Sequence, residues 1–168
     1  SYKINKDKII IIPQSVSPSN VIFYNLYEFA YKIITSDKSI SNIHNGFIKK
    51  IFLMVGNVRP VKDPMFVKNT FKKLWKEGII LLVIGNILEG DYNFEPGMFH
   101  VGPLDSNLIL SFYSQANGLI NCSKSEGMSS SILEAMINRC VVFGRNIEGN
   151  LAIIFKYSLK QLTQTYFF

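Results

Sequence analysis

Short apolar runs alternate with helix-like patterns along most of this chain, and each run ends at a glycine or a small polar turn. The helix-like segments carry apolar residues on one face, as in Val67, Phe71, Leu74 and Trp75, spaced i, i+4, i+7 and i+8. Continuous apolar runs are typical of parallel strands that are buried on both faces. The alternation therefore predicts an α/β fold, a Rossmann-like parallel sheet with flanking helices. Strands are predicted at 48–55, 79–84, 98–101, 118–121 and 140–143.

The turn after the predicted strand 118–121 is the part of the chain that best suits a ligand. Ligands of parallel sheets bind at the carboxyl ends of the strands. A helix start rich in glycine and serine leaves backbone N–H groups unpaired beside the positive end of the helix dipole. Phosphates and sugar hydroxyls suit that position, and Gly127, Met128 and Ser129 are the candidates to bind them. Two carboxylates, Glu126 and Glu134, bracket this turn with seven residues between them.

Both carboxylates also have ordinary structural explanations. Glu134 follows Ser131 by three residues, which is the spacing of a capping box, where the glutamate bonds back to the N-cap. The alternative for Glu126 is a solvated loop carboxylate. The residues alone favour the capping box for Glu134.

Two cations follow the predicted strand 48–55, at the same edge of the sheet. Arg59 offers a bidentate fork and Lys62 a point charge, and both suit a phosphate group. The alternative is that they are plain surface charges beside a helix that starts with Asp63 as its N-cap and Pro64 in its first position. A lysine just ahead of the positive end of a helix is mildly unfavourable, which favours a functional reason for its presence.

Composition excludes several other classes of protein. The chain has 168 residues, 48% hydrophobic and 18% charged, as a globular domain does. Its apolar runs fall far short of the roughly 18 residues of a membrane span, so no transmembrane segment is expected. The formal charge of +6 comes largely from scattered lysines, which predicts a solvated surface and no nucleic-acid partner. Metal-ligand spacing is absent, so no metal is expected, and Cys122 and Cys140 are expected to be buried thiols.

The N-terminal part is expected to lead into the main domain. Residues 8–13 predict a short strand, apolar spacing over 21–34 predicts a helix, and the polar stretch 35–46 predicts a linker. We therefore divide the chain into an entry segment, 1–47, and a ligand-binding domain, 48–168. Because the chain begins at Ser1 rather than at a methionine, we expect it to be a fragment.

The turn and its helix resemble a known family of enzymes. Ser125-Glu-Gly-Met-Ser and Ile132-Leu-Glu-Ala-Met, with their two glutamates, are similar to the E-x7-E motif of retaining glycosyltransferases of family 4, which have the GT-B fold. The resemblance covers roughly residues 9–150 and its motif is specific. It implies that 48–168 is one half of a GT-B fold, the C-terminal domain that binds a nucleotide-diphosphate sugar, truncated here at its C-terminal end.

The resemblance also implies roles for individual residues. Glu126 would face the donor sugar as the catalytic residue, and Glu134 would bind the ribose. Lys62 matches the lysine of the family's G-R-x4-K pattern, but Asn57 stands where that pattern has arginine, so Arg59 is the candidate to supply the missing charge. Backbone groups around Val101 would read the base, and the loop 145–150 would approach the sugar.

The implied activity is transfer of a sugar, of the hexosyltransferase type and with retention, from the nucleotide sugar to an unknown glycan, lipid or protein acceptor. No cofactor or metal is expected, the family needing none in general. An N-terminal GT-B domain would be the missing partner, so we expect the fragment alone to be inactive, and the cytoplasm is the expected location. The alternative is a non-catalytic, nucleotide-sugar-binding or scaffold relative. A dehydrogenase would fit the fold, but no strand is followed by G-x-G-x-x-G.

Overall fold

The computed structural model describes residues 23–37, 40, 43–44, 46–94, 96–158 and 165–168. The strand predicted at 8–13 lies outside these residues. The described chain forms a six-stranded sheet in the order β3-β2-β1-β4-β5-β6, in which every pair of neighbours is parallel. The prediction of an α/β fold with a parallel sheet is confirmed. The strands are β1 Lys50–Val55, β2 Ile79–Ile84, β3 Met98–Gly102, β4 Gly118–Asn121, β5 Val142–Gly144 and β6 Thr165–Phe167.

The central strands are buried on both faces, as their unbroken apolar sequences predict. Alternate residues of β2 enter different clusters, with Leu82 in the larger core on one face and Leu81 and Val83 in the smaller core on the other. All three are fully buried. In β1, Phe52 is paired with Leu81 on one side and with Gly118 on the other. The sheet therefore forms a buried layer whose edges carry the connecting loops.

In the part of the chain that the structure describes, five helices pack against this sheet: α1 Leu26–Ser36, α2 Lys68–Leu74, α3 Ser106–Tyr113, α4 Ser130–Ile137 and α5 Glu148–Ser158. Short 3-10 turns, Pro60–Lys62, Pro64–Val67 and Trp75–Glu77, precede and follow α2. The α3 helix has Asp105 as its N-cap, and the carboxylate accepts from the Asn107 amide at 2.8 Å. The segment 145–150 was predicted to be a loop, and this is only partly right because α5 begins at Glu148.

The prediction that Asp63 caps a helix is only partly right, because Asp63 has the N-cap position of the 3-10 turn Pro64–Val67 but its side chain does not cap it. Asp63 lies between two 3-10 turns with φ 45° and ψ 51°, and its side chain makes no capping hydrogen bond. Its carboxylate instead accepts from Arg145 at 2.9 Å and lies 3.5 Å from the Lys124 ammonium. These two cations come from distant parts of the sequence, so local capping rules could not anticipate them. Pro64 does occupy the first position of the turn that follows.

The first helix joins the same core as the sheet. Its N-cap Asn25 accepts from the Glu28 amide at 3.0 Å, and Leu26, Ala30 and Ile34 are fully buried. The Phe29 ring lies 5.0 Å from the Phe112 ring of α3. The division of the chain at residue 47 stays a prediction, but α1 on its N-terminal side packs directly on the domain.

The strand order reverses between β1 and β4. From β1 the chain proceeds outward to β2 and β3, and from β4 it proceeds the other way to β5 and β6. The loops that leave β1 and β4 therefore diverge and open a crevice at the carboxyl ends of these two strands, which is where such sheets bind ligands. No helix in the described part of the chain is long and apolar enough to cross a membrane.

Candidate active site

A cavity of about 440 Å³ occupies this crevice. Its walls come from the loop after β1, the turn after β4, the first turns of α4 and one face of α3. A backbone hydrogen bond of 2.8 Å, from the Lys124 amide to the Val61 carbonyl, joins the two loops. The lining residues are Val55, Gly56, Asn57, Arg59, Lys62, Ser106, Ile109, Leu110, Glu126, Met128, Ser129, Ser130, Ser131 and Glu134.

Glu126 is bound on one carboxylate oxygen by three donors. Its Oε1 accepts from Lys62 Nζ, from Ser123 Oγ at 2.6 Å and from Asn121 Nδ2 at 3.4 Å. No residue in the described ranges donates to its Oε2. Burial raises the pKa of the Glu126 carboxyl, but the Lys62 and Ser123 hydrogen bonds and the Lys62 charge more than offset this, so the pKa lies below its ordinary value. Glu126 is therefore a well-held anion and not a solvated loop carboxylate.

Glu134 lies in the second turn of α4 and has a different environment. Burial raises the pKa of its carboxyl, and a hydrogen bond from the Tyr113 hydroxyl to Oε2, 3.4 Å long, only partly offsets this. The capping-box explanation is wrong, since α4 begins at Ser130 with Ser129 as its N-cap, which puts Glu134 too far into the helix to reach it. The carboxylate is left on the cavity wall, held by Tyr113 alone among the residues described.

The two predicted cations both reach the cavity. Lys62 ends the turn Pro60–Lys62, its side chain is 26% exposed, and it forms an ion pair with Glu126. It is therefore not a free surface charge. Arg59 has an extended backbone and contributes to the same wall. Asn57 lies beside them, and its Oδ1 accepts from the Asn86 amide at 3.2 Å.

The remaining predicted residues divide into two groups. Met128 and Ser129 line the cavity, while Gly127 lies in the same turn but not on the lining. Val101 lies elsewhere, on β3, where it borders a second cavity of about 540 Å³. Its neighbour His100 bonds through Nε2 to the Gly85 carbonyl at 2.7 Å and stacks on Phe94, so it has a packing role.

Sequence reasoning missed the polar residues behind the site. Asn121, Ser123 and Asn150 are buried and linked by hydrogen bonds to one another or to Glu126. A polar residue at the end of a buried strand, as Asn121 is, was the available signal. The loop 145–150 is expected to approach the sugar, but the Arg145 side chain in it donates to Asp63 and to the Cys122 carbonyl at 3.2 Å.

The described residues offer neither a cluster of metal-ligating side chains nor an ionised thiol. The residues described contain no group of three His, Cys, Asp or Glu side chains that could hold a metal ion. Cys122 and Cys140 are buried, and burial raises the pKa of each thiol to about 12, so both stay protonated. Buried, protonated thiols agree with the structural role predicted for them.

Comparisons with known proteins identify the family. A family model described as glycosyl transferases group 1 matches residues 37–163. Glycosyltransferase 1 domain-containing protein 1 of Xenopus tropicalis is 29% identical over 162 residues, which cover 89% of this chain and 44% of that protein. The chain thus spans less than half the length of this curated relative.

Two glycosyltransferase structures are among the solved structures that share the fold. The C-terminal domain of the glycosyl transferase group 1 family protein LpcC from Francisella tularensis aligns with a TM-score of 0.50 and 24% identity, covering 58% of each chain. WaaG, a glycosyltransferase involved in lipopolysaccharide biosynthesis, aligns with a TM-score of 0.54 and 13% identity over 84% of this chain and 36% of its own. Because the family model covers well over half of its residues, this chain belongs to the group 1 glycosyltransferases, with a sheet of the GT-B type.

Proposed function

We propose that this chain is the donor-binding half of a retaining glycosyltransferase that takes its sugar from a nucleotide-diphosphate sugar. The observation that carries the proposal is the crevice between β1 and β4, where one cavity joins Arg59, Lys62, Glu126 and Glu134 with the start of α4. Two cations and a helix N-terminus suit a diphosphate, and two carboxylates suit hydroxyl groups. A nucleotide sugar carries all of these groups on one molecule.

The diphosphate is proposed to lie between Arg59, Lys62 and the amides of Gly127–Ser129. Negative charge grows on the leaving diphosphate as the glycosidic bond breaks, and fixed positive charge stabilises that change most in the transition state. Lys62 lines the cavity while it pairs with Glu126, so an entering phosphate would compete with Glu126 for the hydrogen bonds of the ammonium group. Donor binding and the charge of Glu126 are coupled through this one ammonium group.

Glu126 is proposed to face the sugar through Oε2. Its low pKa keeps the carboxylate ionised at neutral pH, so it can accept from sugar hydroxyls and stabilise an oxocarbenium-like transition state. The oxygen that is held, Oε1, fixes the direction in which Oε2 is presented. We assign it electrostatic stabilisation and not nucleophilic attack, with the leaving phosphate helping to deprotonate the acceptor on the same face.

Glu134 is proposed to bind the ribose. Tyr113 holds Oε2 at 3.4 Å, which leaves Oε1 for a ribose hydroxyl. Its carboxyl is half-buried and poorly solvated, so hydroxyl groups of a ligand would supply hydrogen bonds that water supplies to an exposed carboxylate. Val101 stays a proposed contact of the base through its backbone; its support is the family resemblance rather than the cavity.

The remaining parts of the function belong to the whole protein. The acceptor, a glycan, lipid or protein, would bind a second domain, since this chain spans 44% of its curated relative. We propose hexosyl transfer without a metal ion, in the cytoplasm, with little or no turnover by residues 1–168 alone.

A non-catalytic relative that binds nucleotide sugars or serves as a scaffold is the second candidate. Two observations favour it. Asn57 replaces the arginine that the family pattern has at this position, and its side chain is engaged with the Asn86 amide. The three donors on Glu126 Oε1 also give that residue a structural role of its own.

The proposed donor site is tested by thermal melting with UDP-, GDP- and ADP-sugars. One class of donor is expected to raise the Tm of the wild-type chain, and Glu134→Gln is expected to abolish the rise. Glu77→Gln is the matched control, because Glu77 is exposed on a turn that precedes β2, at the opposite edge of the sheet. Cooperative melting without a shift from any donor would count against the site.

Catalysis is tested separately in the full-length protein with Glu126→Gln. An enzyme is expected to lose most of its transfer rate while it still binds the donor. A scaffold would bind the donor and transfer nothing before or after the substitution, which would establish the second candidate.

A further inference from the structure

A buried amide lies directly behind Glu126. Asn121, the last residue of β4, is 7% exposed and makes four side-chain hydrogen bonds. Its Nδ2 donates to Glu126 Oε1 and to Ser129 Oγ, both at 3.4 Å. Its Oδ1 accepts from the Ser123 amide at 3.2 Å and from Asn150 Nδ2 at 3.3 Å. One side chain thus joins the strand, the Glu126 turn, the start of α4 and α5.

The direction of this amide is set by backbone groups. The Ser123 N–H can only donate, so the side-chain oxygen of Asn121 must face it and the NH₂ group must face Glu126. Asn150 is oriented in the same way, because its Nδ2 donates to the Arg145 carbonyl at 3.0 Å, which can only accept. Neither amide can be flipped without losing one of these bonds.

Asn150 is the deeper of the two. It is fully buried, it lies in the first turn of α5, and none of the described residues donates to its Oδ1. Polar side chains in such a position are expected to be fully paired. Asn150 keeps an unpaired oxygen while its NH₂ group donates to Asn121 and to the Arg145 carbonyl. The hydrogen bonds that hold Asn150 in place are therefore those that its NH₂ group donates.

We propose that Asn121, anchored by Asn150, is a positioning residue that sets the orientation of the Glu126 carboxylate toward the donor sugar. This inference rests on the proposed function. Neither amide lines the cavity, so both act through Glu126 and not on the ligand. Asn121 and Ser123 Oγ hold Oε1 from behind while Lys62 holds it from the cavity side, so three donors to Oε1 set the direction of Oε2.

The charges around Glu126 make the proposal measurable. Lys62 is its ion-pair partner, and Arg59 and Glu134 share the cavity wall. Asp63 pairs with both Arg145 and Lys124 in the adjoining loops. Asn121→Asp would remove a donor and add a negative charge beside Oε1, so it should raise the Glu126 pKa more than Asn121→Ala does. Asn150→Ala should raise it as well, by loosening Asn121.

The first experiment is a ¹³C NMR titration of glutamate-labelled protein, with the Glu126 signal assigned by its loss in Glu126→Gln. We expect the pKa order wild type, Asn121→Ala, Asn121→Asp, from lowest to highest. The control is Asn117→Asp, the same chemical change just before β4, where the side-chain oxygen accepts from Ile51 and Tyr27 and would still do so. This control should leave the Glu126 signal unmoved.

The second experiment measures transfer by the full-length protein. Asn121→Asp and Asn150→Ala are expected to lower kcat up to about 100-fold, as misplacement of a reacting group by about 1 Å can, with a much smaller change in the donor KM. In Asn121→Asp the acid limb of the pH profile should move to higher pH. Loss of stability alone would not move that limb.

The two experiments separate the inference from the function on which it rests. A Glu126 pKa that stays unchanged in folded Asn121→Ala and Asn150→Ala would overturn the positioning role. If the Asn121 variants do not fold, Asn150→Ala decides alone. A wild-type protein that transfers no sugar would refute the proposed function, while the titration would still decide whether Asn121 orients Glu126.

Discussion

Gly149 allows α5 to lie against the turn that carries Glu126, and Gly149→Ala is the sharpest test of that contact. A Cβ built on Gly149 would lie 2.0 Å from the Glu126 carbonyl oxygen and 3.0 Å from that of Gly127. Real Cβ atoms essentially never come closer than 3.0 Å to a neighbour, so the first distance is about 1 Å too short. Both obstacles are backbone atoms, which cannot rotate away. Either α5 or the Glu126 turn must move.

The expected magnitude combines two opposing effects. Overpacking of this kind costs about 1–3 kcal/mol. Alanine is favoured over glycine by up to about 1 kcal/mol within a helix, and Gly149 is the second residue of α5. The net loss should be about 1–2 kcal/mol, which lowers the Tm by about 2–8 °C for a chain of this size. If the turn is what moves, a shift near 1 Å should lower kcat by about 100-fold.

The assay pairs thermal unfolding of the chain with transfer by the full-length protein. Gly127→Ala is the stability control, because a Cβ there meets nothing within 4 Å although it lies in the same turn. It should leave the Tm within about 2 °C of the wild type, since a substitution without a clash changes stability by up to about 0.5 kcal/mol. A Gly149→Ala protein that melts as the wild type does, with unchanged kcat, would refute the close contact and its role in holding Glu126.

Three further predictions concern charge. Glu126→Gln should lower the Tm at pH 7, because the Glu126 pKa is lower in the folded state than in the unfolded state, so the ionised carboxylate stabilises the fold. This stabilisation is present above the unfolded-state pKa and is lost as the pH falls through the folded-state pKa. The difference in Tm between wild type and variant should therefore narrow in acid. Glu134→Gln should raise the Tm at pH 7, because folding raises the pKa of that carboxyl and its ionised form therefore destabilises the fold. Thermal melts at a series of pH values would test this, and the gain in Tm should vanish below the unfolded-state pKa of about 4.3. Asp63→Asn should keep the left-handed backbone, which asparagine tolerates, but should lower the free energy of unfolding by about 1 kcal/mol because the Arg145 and Lys124 ion pairs are lost. Urea unfolding at low and high salt would test this, and the difference in unfolding free energy between wild type and variant should be smaller in high salt.

Much of the fold follows from the sequence because its strands are buried on both faces. The runs 79–84 and 118–121 match β2 and β4 residue for residue, since an unbroken apolar run has a definite beginning and end. The predicted strand 140–143 is displaced, β5 being Val142–Gly144, because Cys140 is apolar yet lies before the strand. Helix starts were harder, and the expected helix after Pro64 is divided into 3-10 and α-helical parts.

The site was predictable where it lies on loops that follow strands. Such loops meet at one edge of a parallel sheet, so the order of strands and loops in the sequence is enough to place Arg59, Lys62, Glu126 and Glu134 together. The contacts between these residues were not predictable. Lys62 and Glu126 are 64 positions apart, and their pairing depends on how two loops turn after leaving their strands.

The buried asparagines behind the site could not be predicted for a related reason. Asn121 and Asn150 are 29 positions apart and look like ordinary turn residues in the sequence. Their burial follows from the neighbouring pairing of β4 and β5, which brings the loop that precedes α5 against the end of β4. Local patterns report propensity, whereas buried polar contacts depend on tertiary geometry.

The position of Arg59 shows how a departure from a sequence pattern can be reconciled with the same site. Val58 is 2% exposed and forms a parallel bridge with Ile87, so the chain is extended there, and side chains on either side of it point the opposite way. Asn57 and Arg59 therefore share one side of the strand-like segment, and both line the cavity whereas Val58 does not. The guanidinium group of Arg59 therefore lies at the same cavity that an arginine at position 57 would line. The asparagine at 57 is thus compatible with a diphosphate site, and the argument for a non-catalytic relative is weaker than the sequence pattern alone suggests.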